Sequence, residues 1–182
     1  MKNSLNSNRG YLPHSLVLIL VVMFAWSALV AEAADIFWSG GTASYNNALN
    51  WSPHSIPGAG DTAINDNGSG NVVQILPGDP DWALSQLRIG SAASGALRQD
   101  GQTLSVTNAP RALRLGVASG SSGLFTLNGG AVNYANEFAV GELGQATLNV
   151  AGGSIAGSGT LAVNIGSSVD AVNATIDEGF AK

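Results

Sequence analysis

Leu113-Arg114-Leu115-Gly116 and Phe138-Ala139-Val140-Gly141 are two copies of one phrase. It stands earlier as Leu87-Arg88-Ile89-Gly90 and later as Val163-Asn164-Ile165-Gly166, so the closing glycines fall 26, 25 and 25 residues apart. A fixed period of roughly 20–50 residues is the signature of a solenoid or other repeat array. Within each copy an outward residue separates two inward ones, the period-2 pattern of a half-buried strand.

A second phrase is interleaved with the first. Leu97-x-Gln99-Asp100-Gly101-x-x-Leu104 aligns with Phe125-x-Leu127-Asn128-Gly129-Gly130-x-Val132, and both align with Leu148-x-Val150-Ala151-Gly152-Gly153-x-Ile155. A meander or sandwich would show turns every 8–12 residues or so without a longer repeat. Here the longer repeat dominates, which predicts coils of about 25 residues stacked at the spacing of hydrogen-bonded strands, about 4.8 Å. Leu87, Leu113 and Phe138 then form one internal column, and Ile89, Leu115, Val140 and Ile165 another. The phrase-closing glycines, and Gly129 and Gly152, are expected at corners that need a positive φ. Arg88 and Arg114 fall at the same outward position on adjacent coils, where like charges repel mildly. A last cycle starts at Ala174-Thr175-Ile176-Asp177, echoing Ala146-Thr147-Leu148-Asn149, and predicts either a longer protein or end-to-end self-association. The expected fold is all-β, a parallel β-helix with an aromatic N-terminal cap, preceded by a helical signal peptide.

The leader is read from Lys2 and Arg9, the apolar run Leu16 to Val30, and Ala31-Glu32-Ala33. That is the three-part layout of a secretory signal peptide over residues 1–33. The apolar run is shorter than the ~20 residues of a spanning helix, which favours a cleaved signal, with a retained anchor as the alternative; no membrane contact is expected after cleavage. Removing the leader leaves five basic and eleven acidic residues. No basic face remains to neutralise phosphates, which excludes nucleic acid as a partner. The sequence has no cysteine, so disulfides, thiolate nucleophiles and cysteine-based zinc sites are excluded. Charged residues make up only 10%, against about 25% in an average soluble domain.

Residues 34–86 read as an N-terminal capping β module, ahead of solenoid repeats over 87–182. Asp35-Ile36-Phe37-Trp38 and Val72-Val73-Gln74-Ile75-Leu76 are strands; Ser39-Gly40-Gly41 and the Asn65–Gly70 run are turns. Trp38-x-Gly40-Gly41, followed by Asn50-Trp51, Pro57-Gly58 and Asp61-x-Ala63-x-Ile64, resembles the opening module of exported bacterial repeat proteins. These are the passenger-like regions of autotransporters and of proteins bearing a C-terminal PEP-CTERM sorting signal. The resemblance implies export to the cell surface or the extracellular space, in association with the outer membrane.

Chemistry-bearing residues are sparse. His54 is the one histidine beyond the leader and stands in a turn, with no Gly-x-Ser-x-Gly elbow to make a triad. Asp61, Asp66, Asp79 and Asp81 match no calcium-loop spacing and read as turn caps, so no metal and no cofactor is expected. Acidic residues in the repeats fall out of phase, which argues against paired carboxylates for glycoside hydrolysis. Trp38, Trp51 and Trp82 read as a lid over the first coil, with an aromatic platform for stacking glycans as the second reading. The chain is therefore expected to be a non-enzymatic structural or adhesive protein of the cell surface. Its partners would be extracellular glycans or its own solenoid ends. The alternatives are a fragment of a polysaccharide-degrading β-helix enzyme and a carbohydrate-binding module.

Overall fold

The computed structural model describes residues 33–107, 110–164, 166–171 and 175–178. The leader expected at 1–33 lies outside them except for Ala33, as do Ile165 and Ala174. Among the described residues no helix is long and apolar enough to cross a membrane.

Strands come in groups of three, one group per coil. The first coil holds β1 (Asp35–Trp38) and β2 (Ala43–Ser44), followed by a single 3-10 turn (Ala48–Asn50) and β3 (Trp51–Ser52). The second holds β4 (Thr62–Asn65), β5 (Val72–Ile75) and β6 (Trp82–Leu84); the third β7 (Gln86–Ile89), β8 (Ser94–Gln99) and β9 (Thr103–Val106). The fourth holds β10 (Leu113–Leu115), β11 (Ser122–Leu127) and β12 (Ala131–Tyr134); the fifth β13 (Glu137–Val140), β14 (Gln145–Val150) and β15 (Ser154–Gly157). The last holds β16 (Thr160–Val163), β17 (Ser168–Ala171) and β18 (Thr175–Glu178). They form three sheets, β16-β13-β10-β7-β4-β1-β3, β17-β14-β11-β8-β5-β2 and β18-β15-β12-β9-β6. Every pairing is parallel except β1 with β3. This is the expected β-solenoid.

Register follows the repeat. Leu113 pairs with Leu87 and with Phe138, and Leu115 with Ile89 and Val140. All six side chains are fully buried. The second phrase stacks as aligned: Phe125 pairs with Leu97 and Leu148, Val132 with Leu104 and Ile155. The ladder does not begin at Leu87, however. Ala63 lies under Leu87 and Asn65 under Ile89, so the 34–86 stretch contains a complete coil, β4–β6, in register with the repeats.

Two assignments at the far end are corrected. Above Phe138 and Val140 stand Leu161 and Val163. The fourth phrase therefore sits two residues earlier than Val163-Asn164-Ile165-Gly166, and Asn164 takes the place after the strand that Gly141 holds one coil below. A slip of two leaves every side chain on its own face, so alternation alone cannot detect it. Likewise Val169 pairs in register with Leu148, whereas Ile176 pairs with Ile155. The segment read as echoing Ala146–Asn149 thus belongs to the third sheet, not the second.

Corners explain the glycines. Gly90, Gly116 and Gly141 have φ of 71°, 60° and 77°. A Cβ on Gly90 would lie 2.1 Å from the Ser122 carbonyl oxygen of the next coil. At the corner after the second sheet the left-handed residues are Gly78, Gln102, Gly130 and Gly153. The corner assigned to Gly129 and Gly152 is thus one position later. Those two glycines carry no positive φ but press against the coil below, where a Cβ would meet the carbonyl oxygens of Asp100 at 2.9 Å and Asn128 at 2.5 Å.

The N-terminal end is closed. β3 folds back antiparallel onto β1, pairing Trp51 with Trp38. Trp38, Trp51 and Trp82 are 3%, 1% and 3% exposed. Trp38 meets Trp51 edge-on at 4.9 Å, Trp51 tilts on Trp82 at 5.7 Å, and Tyr45 stacks on Trp82 at 4.4 Å. Such pairs add about 0.5–1.5 kcal/mol each beyond their burial.

Gly130→Val forces a branched side chain into a left-handed corner, 2.2 Å from the Gln102 carbonyl oxygen. Gly70→Val, at an ordinary φ with open space around it, does not. We expect the first to cost at least about 2 kcal/mol and the second less than about 1 kcal/mol; urea unfolding of both variants measures the difference.

Candidate functional site

Chemistry-bearing side chains gather in two places. The first is the outer face of the first sheet. Arg114 lies directly over Arg88, as their register requires. The expected repulsion is answered by separate anions. Arg88 pairs with Asp35 at 3.8 Å and donates from Nε to the Gln86 amide oxygen. Arg114 donates from Nε to Glu142 Oε2 at 2.7 Å. Glu142 also pairs with Arg111, which reaches Glu137 at 3.4 Å. The side chains of Arg114 and Glu142 are only 17% and 14% exposed. Fully exposed pairs contribute little; this one is better shielded from water and salt. Its effect is to tie the fourth coil to the fifth. Linear spacing does not pair Glu142 with Arg114, because Glu142 lies just past a corner, out of phase with the strand that carries Arg114.

The remaining carboxylates brace turns. Asp61 accepts from the Gly58 and Ala34 amides, Asp66 from Ser91 and Ala92, and Asp79 from Leu76 and the Ser44 hydroxyl. Asp81 accepts from the Thr103 amide, and Asp100 from Arg98 and Asn128. The contacts of Asp61, Asp66 and Asp81, and that of Asp79 with Leu76, are the backbone caps that short acidic side chains make in turns, whereas Asp100 holds side chains only. Among the described residues no group of three or more His, Asp or Glu side chains is placed to hold a metal ion. His54 is exposed, and its amide donates to the Trp51 carbonyl.

The second place is the aromatic end. The indole N–H of Trp38 donates to Gly41 O at 3.1 Å, that of Trp51 to Tyr45 O at 2.8 Å, and that of Trp82 to Pro57 O at 2.9 Å. Each polar handle is satisfied inside the protein, as burial demands. Trp38, Trp51 and Trp82 are thus enclosed as the rings of a lid are, which leaves little ring surface for the glycan-stacking alternative. Beside them a depression of about 340 Å³ opens between residues 45–46, 56–59 and 80–83. It joins Asn46 and Asp81 to apolar walls, a combination not legible in the sequence because it depends on how three turns converge.

Tyr45 is buried at this end and donates its hydroxyl to Pro80 O. Its pKa is pushed up to about 12 by desolvation and by the negative charges of Asp79 and Asp81. In the unfolded chain a tyrosine ionises near pH 10. The folded state therefore keeps its proton longer, and the resulting stability is present below pH 10 and lost as pH rises from about 10 to about 12. We expect the melting temperature to fall across that window, and to fall less in Tyr45→Phe; thermal scans of both proteins by circular dichroism check it.

Compared with protein-family models, curated proteins and solved structures, the chain matches none of them.

Proposed function

We propose that this chain is an exported bacterial β-solenoid with a structural or adhesive role at the cell surface and without catalytic activity. One observation carries the reading. Arg98, Asp100, Arg111, Arg114, Glu137 and Glu142 in the repeats are engaged with one another or with a neighbouring coil, as Glu142 joins Arg111 and Arg114 and as Asp100 joins Arg98 and Asn128. A polysaccharide-degrading enzyme would instead aim converging carboxylates at a bound chain. Export is supported by the layout of Lys2, Arg9, Leu16–Val30 and Ala31-Glu32-Ala33. The resemblance of the opening module to autotransporter-passenger-like and PEP-CTERM-associated repeat proteins points to the same destination.

Self-association through a solenoid end accompanies this reading. Val163 continues the column of Ile89, Leu115 and Val140, yet it is 47% exposed. We expect sedimentation to show concentration-dependent association that Val163→Asp abolishes; an unchanged monomer at every concentration would remove this partner.

Fractionation and N-terminal sequencing test export directly. The protein is expected outside the cytoplasm with a mature N-terminus at Ala34. The same purified protein should release no reducing ends from a panel of polysaccharides. A cytoplasmic protein with an intact leader contradicts the location, and steady depolymerisation contradicts the absence of catalysis.

A further inference from the structure

The depression beside the aromatic plug has the make-up of a small-ligand site. At about 340 Å³ it lies at the lower end of the roughly 300–1,000 Å³ usual for ligand pockets, large enough for one or two rings. Ile56, Pro57, Pro80 and Trp82 give it apolar walls. Asn46 and Asp81 stand on its exposed rim. Asp81 uses Oδ1 to cap the Thr103 amide at 2.8 Å. Among the described residues, its Oδ2 and the Asn46 side-chain amide have no hydrogen-bond partner, so both are open to a ligand.

The walls are also held in place. Tyr45 OH donates to Pro80 O and Trp82 Nε1 to Pro57 O, so the two prolines are fixed by the buried rings behind them. A pre-fixed surface loses little conformational freedom when a ligand arrives. The matching ligand has an apolar face bordered by hydroxyl groups, which is the chemistry of a sugar ring. Its charge is decided by the surroundings. Asp79 and Asp81 lie together here on a chain of formal net charge −5, which disfavours a uronate or sulfated sugar. Their field already resists ionisation of the Tyr45 hydroxyl.

We propose that this depression binds an uncharged sugar unit, its hydroxyls bonded to Asp81 Oδ2 and the Asn46 amide and its apolar face set against Pro57 and Pro80. The proposal deepens the adhesive reading, on which it rests, by giving it a ligand class and a place.

The test uses the mature chain and two variants, Asp81→Ala and Ala59→Trp, the second filling the depression from its exposed rim. The probes are neutral gluco-, manno- and galacto-oligosaccharides, with an oligogalacturonate as the anionic control, followed by calorimetry and tryptophan fluorescence. At least one neutral oligosaccharide should bind and shift the emission, with the oligogalacturonate weaker. Asp81→Ala should weaken binding about tenfold or more, the loss of a hydrogen bond to a charged acceptor. Ala59→Trp should abolish it with an unchanged melting temperature, whereas Asp81→Ala, which also loses the cap on the Thr103 amide, should melt somewhat lower. No signal from any neutral oligosaccharide at millimolar concentration overturns the proposal. So does binding that persists in both variants; adhesion to glycans would then stand with its site elsewhere. Cell-surface glycan capture by the intact protein, without soluble-sugar binding, separates the two readings in the same way.

Discussion

Parallel stacking in register is the constraint from which the rest of this structure follows. Each inward side chain rests on its counterpart one coil away, about 4.8 Å below. A column must therefore share out volume along its length, because interiors are close-packed and tolerate neither voids nor overlap. The third sheet shows how. Tyr134 projects a ring into the interior, and its ladder neighbour is Gly157. A Cβ on Gly157 would stand 2.1 Å from Tyr134 Cζ, so the tyrosine fills the space that the glycine leaves. Phe138 closes the same region, meeting Tyr134 edge-on at 5.6 Å and lying 6.5 Å from Phe125. Here a large residue is matched by a glycine on the next coil because the register fixes which side chains meet.

Much of this was legible because stacking pairs like with like. Leu87, Leu113 and Phe138 could be placed in one column from their spacing alone, as could Leu97, Phe125 and Leu148. The legible part ends where polar side chains enter the interior. Asn65 occupies an inward position beneath Ile89, and its amide is satisfied by the carbonyls of Asn71 and Ala96. With an asparagine there and no glycine after it, Thr62-Ala63-Ile64-Asn65 does not look like a copy of the phrase, and a full coil passes for part of a separate module. Gln99 is the same case in the second sheet. It lies between Ile75 and Leu127 and donates to the carbonyls of Gln102 and Ala131. One of those acceptors is the residue at the left-handed corner that glycine holds in the next two coils.

The site was less legible than the fold, for a related reason. Glu142 and Arg114 meet through the separation of coils plus the reach of a side chain past a corner, and no linear spacing encodes both. The tryptophans were recognisable as a group, and the lid reading follows from their number at one end of the repeats. Which reading held depended on exposure, and exposure depended on β3. A two-residue strand that reverses direction covers the β1 edge and turns Trp51 inward. Nothing in Trp51-Ser52 as a dipeptide announces that reversal.

The position of the depression follows from the same stacking rule. Between the second and third sheets the turn is three residues long in the third, fourth and fifth coils, where each is matched to the coil beneath. In the second coil that connection runs from Leu76 to Asp81, twice as long, and carries Pro77, Gly78, Asp79 and Pro80. The first coil has no third-sheet strand beneath it to impose a shorter path; it has the plug of Tyr45, Trp51 and Trp82 instead. Irregular backbone can therefore accumulate at this end without breaking the ladder, and it is irregular backbone that makes concave surface. Along the repeats the demand for register binds Arg98, Asp100, Arg111, Arg114 and Glu142 into the coils' own framework. A solenoid of this kind has room for recognition where its periodicity fails, and here that is the closed end.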